Sequence, residues 1–95
     1  MDNQHRQIKG YRELTAADIA LMNEVKAMGP QLQALFEKVG THIAQQRTQA
    51  TETDNAQETE RLQQAEPEKW LNWARDTSQT ALMYATRAIA QPTFF

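Results

Sequence analysis

From Met22 onward the chain repeats a non-polar position every three or four residues. Met22, Val25, Gly29, Leu32, Phe36, Val39 and Ile43 are spaced 3, 4, 3, 4, 3, 4. A repeat averaging 3.5 residues marks a helix that packs along a coiled-coil-like seam. Upstream, Thr15-Ala-Ala-Asp18 has the form of a helix start, a threonine cap with an acid three residues on, and Leu14 is placed to act as its hydrophobic staple. Pro30 has no N–H for the carbonyl of Lys26 and its ring crowds that carbonyl. The pattern therefore predicts a helix over about 15–48, kinked at Gly29-Pro30, with two helices split at that point as the alternative.

Residues 45–60 hold no large apolar side chain. They predict a solvated tip, about 49–58, with frayed helix ends on either side. A second helix, about 59–91, resumes by Glu60 or at the latest at Glu66-Pro67, where proline suits a first turn. It carries Trp70, Trp73, Ala74, Thr77, Ala81, Tyr84, Ala85 and Ala88 before Gln91-Pro92 stops it. Residues 1–9, anchored only by Ile8, form a short helix that Gly10 ends, within an N-terminal segment 1–14. The expected fold is all-α: one domain over 1–95, a long antiparallel helical hairpin with a short N-terminal helix. Two helices of roughly 30 residues would each be about 45 Å long. A lone hairpin leaves both tryptophans, Tyr84 and much of the seam half covered, which predicts a homo-oligomer.

Composition supports helix, with only three glycines and three prolines among 95 residues. The absence of cysteine excludes disulfides and thiolate metal sites. His5 and His42 stand far apart, so no metal site and no cofactor is expected. No apolar run approaches the roughly 20 residues that cross a bilayer, and the first residues are too polar for a signal peptide. A soluble cytoplasmic protein without a membrane partner is expected.

Charge changes the picture more. Residues 1–12 carry Arg6, Lys9 and Arg12 against Asp2, and residues 69–95 carry Lys69, Arg75 and Arg87 against Asp76. Residues 51–68 carry six acids against Arg61. Folding the chain back on itself brings both basic ends together, away from the acidic middle. A long nucleic acid would meet repulsion there and find no continuous basic stripe. A small phosphorylated ligand at one end would not.

Tyr11 lies after Gly10 and just ahead of a helix N-terminus, a place suited to stacking on a flat base, although a tyrosine before a helix is usually a packing residue. Lys26 stands at the edge of the seam, where it can snorkel to water or hold a phosphate as a mobile point charge. Arg87 shares a face with Asp76 and can pair with it. Trp70 and Trp73 fit a core or an interface better than a ligand platform. There is no nucleophile turn, Gly-rich phosphate loop or paired histidine, so an enzyme is not expected.

Several short stretches resemble a known family. Asp2-Asn-Gln-His5, Gly10-Tyr-Arg-Glu-Leu14, Leu21-Met-Asn23 and Lys26 resemble the phage anti-CBASS cyclic-nucleotide sponges with the hairpin domain. So do Glu66-Pro67, Trp70, Asp76, Gln79, Met83 and Arg87-Ala-Ile-Ala-Gln-Pro92. The likeness covers nearly the whole length except residues 45–62. It implies a non-enzymatic protein that sequesters cyclic di- and trinucleotides intact in the cytoplasm of the infected bacterial host, so that CBASS effectors are not activated. It also implies a homohexamer with pockets between protomers. Carried over by position, Tyr11 would stack on a base and Lys26 would contact the phosphodiester ring of a cyclic dinucleotide, with Arg12 beside them. A separate cyclic trinucleotide pocket would lie around Lys69, Arg75, Arg87, Gln91 and Thr93. Two other readings stay open: a structural helical oligomer or adaptor, and a related sponge for cyclic ADP-ribose-type signals from TIR-domain enzymes.

Overall fold

The computed structural model describes residues 12–94. The expected short helix over residues 1–9 and Tyr11 lie outside them. Among the described residues the protein is all-helical: α1 spans Ala16–Glu52, α2 Ala56–Ala65 and α3 Pro67–Ala90. None of these helices is long and apolar enough to cross a membrane.

Each helix end has a local cause. Thr15 and Asp18 cap α1 reciprocally: the Asp18 N–H donates to Thr15 Oγ1 at 3.1 Å, and the Thr15 N–H to Asp18 Oδ2 at 2.9 Å. Helix α1 continues through Pro30 without a break, so the split into two helices does not occur. It also runs past residue 48. It stops where Asp54 takes a left-handed φ of 51°. There the Asn55 N–H bonds the Ala50 carbonyl at 2.9 Å and the Asp54 N–H bonds the Thr51 carbonyl at 3.1 Å. This is a Schellman stop with aspartate in the place glycine usually takes. Asn55 then caps α2, its side chain accepting from the Glu58 N–H. The polar stretch thus forms a short turn between two capped helices, where a longer solvated tip was expected over 49–58.

Glu66 divides what was expected to be one helix. Its φ is 49° and its N–H bonds the Leu62 carbonyl at 3.1 Å, and Pro67 opens α3 immediately after it. Gln91 repeats the arrangement, with φ 54°, an N–H to the Arg87 carbonyl at 2.8 Å, and Pro92 next.

Contacts gather the chain into two compact units, a terminal one (Met1–Gly29 with Gln79–Phe95) and a central one (Pro30–Ser78). In the central unit, α1 and α3 run antiparallel. Arg47 forks onto Glu68 at 2.5 and 2.6 Å. A Cβ placed on Gly40 would stand 3.4 Å from Leu71 Cδ2 and 3.7 Å from Arg75 Nη2. The buried residues Ile43, Ala50, Leu62 and Leu71 all belong to this unit, Leu62 being only 2% exposed. In the terminal unit the same two helices are again antiparallel, with Met22, Val25, Gly29, Leu82, Ala85 and Ile89 half-buried and no described residue fully buried.

Candidate functional site

The terminal unit carries a groove of about 450 Å³, lined by Met22, Asn23, Val25 and Lys26 of α1 and by Leu82, Met83 and Thr86 of α3. That volume falls within the usual range for small-molecule sites. Lys26 comes one helical turn after Met22, so the heptad that turns Met22 toward α3 brings Lys26 to the rim of the seam. Its side chain is exposed, as a mobile cation that meets a ligand from water must be. Met83, four residues before Arg87, is 70% exposed. Methionine is unbranched and polarisable and makes favourable contacts with aromatic rings. Met22 and Met83 therefore give the groove an adaptable apolar surface for a flat ring, with one ammonium and the Asn23 amide beside it. The Thr86 hydroxyl donates to the Leu82 carbonyl at 2.9 Å, which leaves its oxygen able to accept.

Arg12 lies in the same unit, with its guanidinium already engaged. Nη1 donates to Asp18 Oδ2 at 2.8 Å and Nη2 to the Ile89 carbonyl at 2.6 Å. The Arg12 hydrogen bond, with the Thr15 N–H after it, holds the Asp18 carboxyl at about 2, below its ordinary 3.8. The same contact raises the Arg12 guanidinium above its ordinary value. Tyr11 lies outside the described residues.

The five residues expected around a trinucleotide pocket divide between the two units. Lys69 and Arg75 belong to the central unit, and Arg87, Gln91 and Thr93 to the terminal one. Lys69 pairs with Glu66 at 3.0 Å, and its ammonium stands 5.4 and 5.1 Å from the rings of Trp70 and Trp73. Those rings meet edge to face at 4.8 Å and are 58% and 50% exposed. Within this chain they are therefore not core. Arg87 Nη2 donates to the Phe94 carbonyl at 2.9 Å, which ties the residues after Gln91 to the last turn of α3. Among the described residues no three potential metal ligands cluster.

Sequence reasoning singled out Lys26 but gave no role to Asn23, Met83 or Thr86. The signal was present in the spacing: Leu82, Ala85 and Ile89 continue the inward face of α3, which puts Met83 and Thr86 on the flank that adjoins Lys26.

No family model matches the chain. Over 105 aligned residues it is 43% identical to Anti-CBASS protein 2 of Pseudomonas phage JBD67, an alignment that covers 97% of each.

Proposed function

The chain belongs to the family of phage anti-CBASS proteins, and from that premise we propose that it blocks CBASS immunity in the infected host by sequestering cyclic oligonucleotide messengers without cleaving them. The observation that carries this reading is Lys26 on the rim of a groove whose surface includes two methionines. A cyclic dinucleotide offers two flat bases and two phosphate charges. Lys26 takes a phosphate, the methionine surface takes a base, and Tyr11 stacks on a base. Stacking contributes about 1–3 kcal/mol per base and a charge-assisted hydrogen bond about 1.5–3 kcal/mol. These terms are not additive and oppose the entropy of association, but a pair of such sets suffices for tight binding.

The same reading extends to cyclic trinucleotides, for which Lys69, Arg75, Arg87, Gln91 and Thr93 are the candidate contacts. It also includes self-association into a homohexamer. Trp70, Trp73, Met83 and Tyr84 are each at least half exposed, apolar surface that packing against further copies would cover.

Titration calorimetry with cyclic di-AMP, cyclic di-GMP, cyclic GMP–AMP, cyclic tri-AMP and cyclic ADP-ribose tests the proposal. Binding of at least one cyclic di- or trinucleotide, recovered chemically intact, is expected. Heat from none of them would leave a structural oligomer, heat from cyclic ADP-ribose alone a sponge for TIR signals, and a linearised product an enzyme. Lys26→Ala should weaken dinucleotide binding at least tenfold and flatten its salt dependence. A wild-type salt slope would remove Lys26 from the phosphate.

A further inference from the structure

In the terminal unit the walls of the groove are two helix segments with no fully buried residue between them among those described. Besides that half-buried seam, a polar clasp ties α1 to α3. Arg12 reaches Asp18, one turn before Met22 in the α1 wall, and the Ile89 carbonyl, about one turn beyond Thr86 in the α3 wall. Nη1 also lies 3.5 Å from the Glu13 carbonyl. The clasp joins the positive start of one helix to the negative end of the other. Asp18 sits in the first turn of α1, and Ile89 offers one of the last carbonyls of α3, which have no donor within their own helix. A planar guanidinium can bridge two acceptors in fixed directions, as an ammonium cannot.

We propose that Arg12 is a positioning residue for the Lys26 groove, setting the spacing of its two walls through Asp18 and the Ile89 carbonyl, and does not itself contact the ligand. This rests on the groove binding an anionic cyclic dinucleotide. A guanidinium neutralised by a carboxylate at 2.8 Å has little charge left to attract a phosphate. Moving it to a ligand would leave the Asp18 carboxylate facing that ligand's own negative charge.

The two roles give opposite signs on the same substitution. If Arg12 gripped phosphate, Asp18→Asn would release it and strengthen binding. As a positioning residue it loses its anchor, and binding weakens. The test measures affinity, stoichiometry and rates with the tightest cyclic dinucleotide of the panel, on wild type, Asp18→Asn and Arg12→Lys, with the salt slope of each. Positioning predicts that both variants lose fivefold or more in affinity through faster dissociation, at wild-type stoichiometry and salt slope. Partial unfolding is distinguished because it lowers the number of sites instead. Tighter or unchanged binding by Asp18→Asn, or wild-type binding by Arg12→Lys, overturns the proposal. Should Asp18→Asn fail to fold, Arg12→Gln carries the decision through its salt slope: a wild-type slope with weaker binding fits positioning, and a flattened slope means that Arg12 neutralises a phosphate and overturns the proposal. A wild-type protein that binds no cyclic dinucleotide defeats the functional reading itself, which is a separate result.

Discussion

The two units use the same pair of helices in different ways. In the central unit Gly40 lets Leu71 approach α1 closely, Leu62 and Ala50 are sealed under the turn, and Arg47 forks onto Glu68. In the terminal unit the corresponding seam residues stay half-exposed, and Arg12 links the helix ends. Burial of apolar area is the main favourable term in folding, so the central unit supplies most of the stability. What the terminal unit leaves unburied becomes groove: Met22, Val25, Leu82 and Met83 form its apolar lining. The half of the protein that buries least is the half that carries the Lys26 groove.

The contrast is sharpest against truncation of an inward leucine. Leu71→Ala should cost about 2–4 kcal/mol, read from the midpoint of urea unfolding, because the cavity beside Gly40 cannot close fully. Leu82→Ala, half-buried already, should cost about half as much. Equal losses would erase the distinction between the units.

Acid gives the next effect. The Asp18 carboxyl, held at about 2 against an ordinary 3.8, favours the folded state fully above the ordinary value, and that contribution disappears as the pH falls through about 2. Glu68 beside Arg47 and Glu58 beside Arg61 are also lowered and act with the same sign. Asp18→Asn should flatten the acid limb of stability more than Glu68→Gln does. The reverse order would mean that the clasp at Arg12 is weaker than the fork at Arg47.

Glycine replacement is the mildest probe. Alanine in a helix interior is favoured over glycine by about 0.8–1.0 kcal/mol. Outside its chain neighbours Gly29 has only Leu82 Cδ1 at 4.0 Å from an added Cβ, but the Pro30 ring crowds the Cβ of a helical residue just before it, so Gly29→Ala should gain only part of that amount. Gly40→Ala meets Leu71 at 3.4 Å and should also fall short of it. A full gain at Gly40 would mean that the central packing is looser than its distances imply.

Much of α1 could be read from its spacing. Met22, Val25, Gly29, Leu32, Phe36 and Ile43 all turn inward, but Val39 stays 38% exposed while Gly40 takes the inward place. A glycine carries no hydrophobic signal, so the local change from a 3.5-residue repeat was invisible. In α3 the large aromatics drew attention to a face that is exposed, while Leu71, Ala74, Ser78, Leu82, Ala85 and Ile89 face inward. Small and polar members hid that stripe. The tightness of the turn at Asp54, inside the expected tip, and the division at Glu66, expected only as the latest start of the second helix, were not legible because both place a non-glycine residue in the left-handed region, which local propensity disfavours. Of the site, Lys26 was legible from its place beside the seam. The engagement of Arg12 with Ile89 was not, since 77 residues separate them.

The stops at Glu66 and Gln91 make α3 a ruler. A left-handed residue followed by proline fixes each limit by covalent geometry, so the 24 residues between them have little room to slide or re-phase. Deleting one residue between Thr86 and Ile89 would rotate everything beyond it by about 100°. The Ile89 carbonyl would swing away from Arg12 although no side chain of the groove had changed. In this protein the bookkeeping of chain length along one helix is as decisive as the identity of the residues it presents.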